Sequence, residues 1–190
     1  MISQNYYNSF INSGAIDIEN EEVKFNQYFE PTCHISWSSS QVTGLTVNGL
    51  DLCLNGEVIN DILPPDEAID SFILWLQTYF PNGCILVAHN GKRFDFPIFK
   101  RYLKQCTKTF GEPFYGIDSR EIFKTHFPHL GKIKMQNLVE EFLPNNSCRY
   151  HDAFEDAKNL GAIIGEACKK KEVSIREFLQ VKHKNLYLFE

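Results

Sequence analysis

The chain changes its apolar rhythm as it proceeds, and each rhythm predicts an element. Gly14-Ala15-Ile16-Asp17-Ile18 and Val23-Lys24-Phe25-Asn26-Gln27-Tyr28-Phe29 flank the polar Glu19-Asn20-Glu21-Glu22, which predicts a β-hairpin ending before Pro31. Leu50 to Leu54, an Asn55-Gly56 turn and Val58-Ile59 predict a second, shorter hairpin. At Pro64-Pro65-Asp66 the spacing turns helical, with a cap and then Ile69, Phe72, Ile73, Leu76 and Phe80 on one face. Cys84-Ile85-Leu86-Val87-Ala88 is a continuous apolar run after Pro81-Asn82-Gly83, the pattern of a strand buried on both faces.

Beyond that run, Pro97 opens a helix carrying Phe99, Leu103 and Cys106 inward, Tyr115 to Asp118 reads as a short strand, and Ser119 starts a helix through Ile122 and Phe123. Asp118 reads as the cap of that helix. Leu138, Val139, Phe142 and Leu143 mark the next helix, and Asp152 to about Lys170 predicts the longest. Ser174-Ile175-Arg176-Glu177 has capping-box spacing for a final helix. Hairpins first and alternating strands and helices later predict an α/β fold with a mixed sheet flanked by helices.

Composition narrows the class. With 190 residues, 43% of them hydrophobic, the chain can bury one ordinary core. The six cysteines are scattered without a Cys-x-x-Cys pair, which argues against disulfides and fits a cytoplasmic or nuclear protein. No apolar run reaches a membrane span of roughly 18 residues, and Met1 to Asn12 lacks the basic-then-apolar pattern of a signal peptide. A net charge of -5 argues against blanket, charge-driven binding of nucleic acid, so any contact must use a local basic patch.

One carboxylate stands out because the fold alone does not ask for it. With Asp152 as N-cap, Asp156 falls on one stripe with Ala153, Leu160 and Ile163, facing the core. An inward carboxylate loses its hydration unless a cation or several donors replace it, so Asp156 is a candidate ligand for a hard metal ion. His151, just ahead of the helix, can accept a proton from a water that such an ion has acidified. Asp95 lies just past the apolar strand, where open α/β sheets place their ligands. A plain reading makes both aspartates helix caps; a shared Mg²⁺ or Mn²⁺ site explains the pair together. Lys92 and Arg93, followed by Lys100, Arg101 and Lys104, supply phosphate-binding charge beside Asp95, or else a solvated basic face.

With these residues assembled, the chain resembles the DEDDh family of 3′-to-5′ exonucleases. Leu86-Val-Ala-His-Asn-Gly-Lys-Arg-Phe-Asp95 is like the family's second motif, and His151-Asp-Ala-Phe-Glu-Asp156-Ala157 is like its H-x-A-x-x-D-A third motif. Phe25-Asn-Gln-Tyr-Phe-Glu-Pro31 and the stretch from Ile35 to Thr46 resemble its early strand and the loop beyond. The resemblance runs from about Ser13 to Ala167, with a helical extension over 172–190, and the whole chain reads as a single exonuclease-like domain. Within the family the texture is similar to the PML-like exon-nine exonucleases, relatives of the three-prime repair exonucleases. The resemblance implies a ribonuclease H-like fold and a two-metal phosphodiester hydrolysis with Mg²⁺ or Mn²⁺. It makes Asp95 and Asp156 metal-holding carboxylates, His151 the general base, and Asn90, Lys92 and Arg93 contacts to nucleic acid. The implied partner is a single-stranded DNA or RNA 3′ end, and the products are nucleoside 5′-monophosphates.

The family's first motif, Asp-x-Glu on a first strand, has one formal match in Asp17-Ile18-Glu19. A second strand and most of a third should separate that motif from Pro31, on the order of 20 residues at roughly 5–6 per strand plus turns. Only the eleven residues Asn20 to Glu30 are there. Gly14-Ala15-Ile16 is instead like the family's second strand, which puts the first strand at or before Met1 and Glu19 in a hairpin turn; no acidic residue occurs from Met1 to Ser13. The expectation is an absent first motif and a severely weakened metal clamp. The alternative is that Asp17 and Glu19 stand in for it. If the motif is absent, the competing reading is a non-catalytic nucleic-acid-binding or interaction domain of the same fold.

Overall fold

The structure, a computed structural model, describes residues 2–4, 10–104, 114–145, 152–180 and 186–189. His151, Tyr150 and Cys106 lie outside the described residues.

β1 (Ile2–Gln4), β2 (Phe10–Ile16) and β3 (Lys24–Phe29) run antiparallel in that order. The β2–β3 hairpin is in the expected place, with Ile16 opposite Lys24. Its turn is held by its own acidic and amide side chains: Asp17 Oδ1 accepts from the Glu19 N–H at 3.0 Å, and Asn20 Oδ1 from the Glu22 N–H at 3.3 Å. α1 (Trp37–Thr43) had no counterpart in the sequence reading. Ser36 caps it by accepting from the Ser39 N–H, and Gly44 ends it at φ 74°. It buries none of its residues, so no apolar stripe announces it.

β4 (Leu45–Asn48), β5 (Asp51–Leu54) and β6 (Glu57–Val58) form a small antiparallel sheet. Its expected Asn55-Gly56 turn has positive φ at both residues, 52° and 88°. β7 (Ile62–Leu63) joins β3 in parallel. α2 (Pro65–Tyr79) then buries Ala68, Ile69, Phe72, Ile73 and Leu76; its cap position is Pro64, which offers no side-chain bond.

β8 (Ile85–Ala88) and β9 (Tyr115–Asp118) pair in parallel, with α3 (Asp95–Leu103) following β8. α4 (Ser119–His126), a 3₁₀ turn over Pro128–Leu130, α5 (Met135–Phe142) and the 19-residue α6 (Ala153–Lys171) come next. α7 (Ile175–Phe178) carries the full capping box between Ser174 and Glu177. Where a wholly helical extension was expected, the chain then returns as β10 (Tyr187–Leu188) on the edge of β9.

Two helical layers flank the β1–β2–β3–β7 sheet and the β8–β9–β10 sheet. On β2, Gly14 touches the start of α6 while the next residue, Ala15, packs with the α2 cluster, so alternation puts α6 and α2 on opposite faces. On β8, Val87 packs with the α4–α6 cluster, and Leu86 and Ala88 with the α2–α3 cluster. The fold is thus a mixed α/β arrangement with its sheet flanked by helices, as expected.

The strand of residues 85–88 is not buried on both faces. Ile85 is 47% exposed, and Leu86 and Val87 are only half-buried. A cleft of about 870 Å³ lies between β2 and β8, and one flank of β8 opens onto it.

Candidate active site

Asp95 is the first residue of α3; the cap position belongs to Phe94, whose side chain makes no cap bond. Asp95 is therefore not the simple N-cap of the plain reading. It is 5% exposed and forms part of the cleft wall.

The loop that delivers it is built around a second aspartate. Asp118, also 5% exposed, receives the backbone N–H of Asn90 and of Arg120 on Oδ1, both at 3.0 Å, and that of Lys92 on Oδ2 at 3.3 Å. It caps α4, as the sequence suggested, and at the same time ties down the loop after β8. Arg120 adds a bond from Nη1 to Asn90 Oδ1 at 2.8 Å, and Asn90 takes the left-handed conformation at φ 62°. Gly91 is needed there because a Cβ would lie 2.7 Å from the Phe96 ring and 2.8 Å from Ala88 Cβ.

His89 sits beneath this loop with Nδ1 3.0 Å from Ser119 Oγ. Burial is the main reason its pKa falls to about 4, with Arg120 pulling the same way and Asp118 opposing. With its pKa that low, the imidazole is neutral near pH 7.

Asp156 occupies the first turn of α6, on the expected stripe with the buried Ala153, Leu160 and Ile163. It is itself half-buried. Asp152 caps the helix by accepting from the Phe154 and Glu155 N–H groups at 3.0 and 2.9 Å. Its other oxygen receives the Tyr28 hydroxyl at 3.1 Å and the Asn12 amide at 3.5 Å, so the helix start is fastened to β2 and β3. Burial, followed by the Asp152 charge, raises the Tyr28 pKa to about 12. Asp95 and Ala157, the neighbour of Asp156, line the same cleft.

The basic residues divide. Lys92 is paired with Glu121 at 2.9 Å, which spends part of its charge inside the fold. Arg93 is exposed, 5.8 Å above the exposed Phe94 ring, and so presents a guanidinium and an aromatic face together. Phe96, another candidate for base stacking, is 3% exposed and packs against Tyr187 and Phe189. Asn90 has its carbonyl oxygen engaged by Arg120. Asp17 and Glu19 lie in the hairpin turn, where Asp17 is occupied with the Glu19 backbone.

Two carboxylates on separate elements, one buried on a cleft wall, fit part of a site for a hard divalent cation. They do not complete it: among the described residues, His, Cys, Asp and Glu side chains form no group of three that could hold a metal ion.

Residues 1–164 match the model of the RNase_T exonuclease family, and the chain belongs to that family. In fold it is similar to a solved structure, Exonuclease X in complex with 5′ overhanging duplex DNA. The two share a TM-score of 0.53 and 14% identity over 88% of this chain and 86% of that one. No curated protein matches the chain.

Proposed function

We propose that the chain is a metal-dependent 3′-to-5′ exonuclease domain acting on single-stranded DNA or RNA, with Asp95 and Asp156 holding the metal and His151 taking the proton of the attacking water. The observation that carries this reading is that Asp95, buried at the start of α3, lines the same cleft as Ala157, the α6 residue next to Asp156. A divalent ion bound there would polarise the scissile phosphate and acidify water. Arg93 with Phe94 offers a phosphate a cation and a base a ring, at the mouth of the loop that carries Asn90 and Lys92. The similar structure's DNA complex supports nucleic acid as the partner class.

A second reading has its own support. Asp17 and Glu19 line the cleft from the hairpin turn, where the Asp17 carboxylate accepts from the Glu19 N–H; if that pair stays engaged in the turn, the clamp is short of its first two carboxylates. On this reading the domain binds nucleic acid and does not cut it.

Degradation of a 5′-labelled single-stranded oligonucleotide with Mg²⁺ or Mn²⁺ decides between them. A ladder shortened from the 3′ end, lost with Asp156→Ala, Asp95→Ala and His151→Ala, is expected of the enzyme. Retained binding without any ladder, insensitive to chelator and to His151→Ala, favours the binding domain.

A further inference from the structure

We propose that the outer edge of β4 docks another protein: it takes a short, extended, basic segment of that partner, which adds to the β4–β5–β6 sheet as a fourth strand.

The backbone of β4 leaves that edge open. The Asn55 N–H donates to the Gly44 carbonyl at 2.8 Å, so Gly44 faces β5, and by antiparallel alternation Thr46 and Asn48 face it too. Leu45 and Val47 therefore turn their N–H and C=O groups the other way. The Leu45 N–H is met by Thr43 Oγ1 at 3.2 Å, but among the described residues no strand pairs Val47 from that side. Edges of this kind are commonly guarded by lysine, proline or a bulge. Leu45-Thr46-Val47-Asn48 has none of these, and its register against β5 runs without interruption.

The side chains around the edge are apolar and unburied. Of the ten large hydrophobic residues exposed among the described residues, five (Trp37, Val42, Val47, Leu50 and Val58) fall within residues 37–58. Val47 shares a face of the sheet with the buried Leu45 yet is 48% exposed, so it projects past the cluster that Leu45 and Leu52 join. Leu50, in the β4–β5 turn, is fully exposed.

Charge selects the occupant. Residues 25–91 contain seven acidic residues and no lysine or arginine, while residues 92–190 hold eighteen of the chain's nineteen. A polyanion is repelled by such a surface and a segment bearing lysine or arginine is attracted, which favours a basic polypeptide over nucleic acid. The exposed Asp51 pairs with Asn48 on the face opposite Val47. A strand that alternates apolar and basic residues thus sets the first beside Val47 and the second on the side of Asp51, while its backbone meets the Val47 N–H and C=O. A second copy of this chain lacks such a strand: among the described residues the one cation on any strand is Lys24, on β3 and already paired with β2.

Amide exchange at Val47, read by NMR on the 190-residue chain, tests this without reference to hydrolysis, so failure here leaves the nuclease reading untouched. The probe is a synthetic peptide of about six residues, lysine alternating with valine, and its control replaces each lysine by glutamate. The expected result is slowing of about threefold or more at about millimolar lysine peptide, none with the glutamate peptide, and a smaller effect on the Asp51→Lys chain. Should that variant fail to fold, the two peptides on the parent chain still decide. No slowing with the lysine peptide, equal slowing with the glutamate peptide, or slowing undiminished by Asp51→Lys overturns the proposal. So does slowing at Val47 that a single-stranded oligonucleotide produces, or that grows with the concentration of the chain alone, because the occupant is then nucleic acid or a second copy.

Discussion

Two regions hold the candidate carboxylates, Asp95 on the cleft wall and Asp156 one residue before the cleft-lining Ala157, and each uses another aspartate as its anchor. Before α3, Asp118 is buried and gathers three backbone N–H groups, from the loop of residues 90–92 and from α4. At the start of α6, Asp152 is half-buried and holds two N–H groups of its own helix plus side chains from β2 and β3. The first region is positioned by hydrogen bonds to a single buried carboxylate. The second is positioned by contact as well, because Gly14 lets the helix backbone rest directly on β2. The loop region should therefore fail through lost acceptors and the helix region through added bulk.

The largest effect is expected on the loop side. Asp118→Ala leaves the N–H groups of Asn90, Lys92 and Arg120 without their acceptor in a buried setting, at a cost of about 4 kcal/mol in urea unfolding. Asp152→Ala loses a cap and its bonds from Tyr28 and Asn12 and should cost about 2 kcal/mol, so near equality of the two would break the comparison. Steric substitution should reverse the order. A Cβ on Gly14 would stand 2.3 Å from Phe154 Cα and 2.6 Å from the Ala153 carbonyl carbon, backbone atoms that can move only with the whole helix. Gly14→Ala should cost about 3 kcal/mol, and Gly91→Ala, whose clashes are with side chains, about 1 kcal/mol.

Legibility in the sequence follows the same division. The two hairpins, α2 and α4 to α7 were readable because period, caps and turn residues are local signals, and Asn55-Gly56 and Ser174 to Glu177 adopt the geometry those residues demand. α1 escaped because Trp37-Ser-Ser-Ser-Gln-Val-Thr43 combines weak helix formers with no buried face. The exposure of Ile85 escaped because burial of a strand depends on what lies beside it, and composition says nothing of neighbours. The place of Asp95 after the apolar strand and of Asp156 on a stripe with the buried Ala153, Leu160 and Ile163 was readable from local spacing. The second role of Asp118, the neutral His89 beneath it and the Tyr28 bond to Asp152 were not, since each joins residues that are far apart in sequence.

The loop side also carries a pH signature that the helix side lacks. Half-buried His89 has its pKa lowered to about 4 from an ordinary value near 6.5, chiefly by desolvation, so the unfolded chain takes up a proton that the folded chain refuses. Its stabilising contribution is complete above about pH 6.5 and is lost as the pH falls toward 4, by about 2 kcal/mol between pH 7 and pH 5. Unfolding midpoints across that window should fall, and His89→Gln should flatten that part of the slope.

The smallest effect sharpens the helix side. Tyr28→Phe removes one donor from Asp152 Oδ2 while Oδ1 keeps both helix N–H groups, so about 1 kcal/mol is expected, well below the loss for Asp152→Ala. The tyrosine also sets the alkaline behaviour of this region. Its pKa is raised to about 12, from about 10, so the fold holds a proton that the unfolded chain gives up first. Its contribution is present below pH 10 and declines as the pH rises through 12. The wild-type chain should lose stability over that range more steeply than Tyr28→Phe. Equal slopes in the two chains would mean that the Tyr28 hydroxyl is neither shielded nor held by Asp152, and would leave the Asn12 bond and the contact at Gly14 to position the helix.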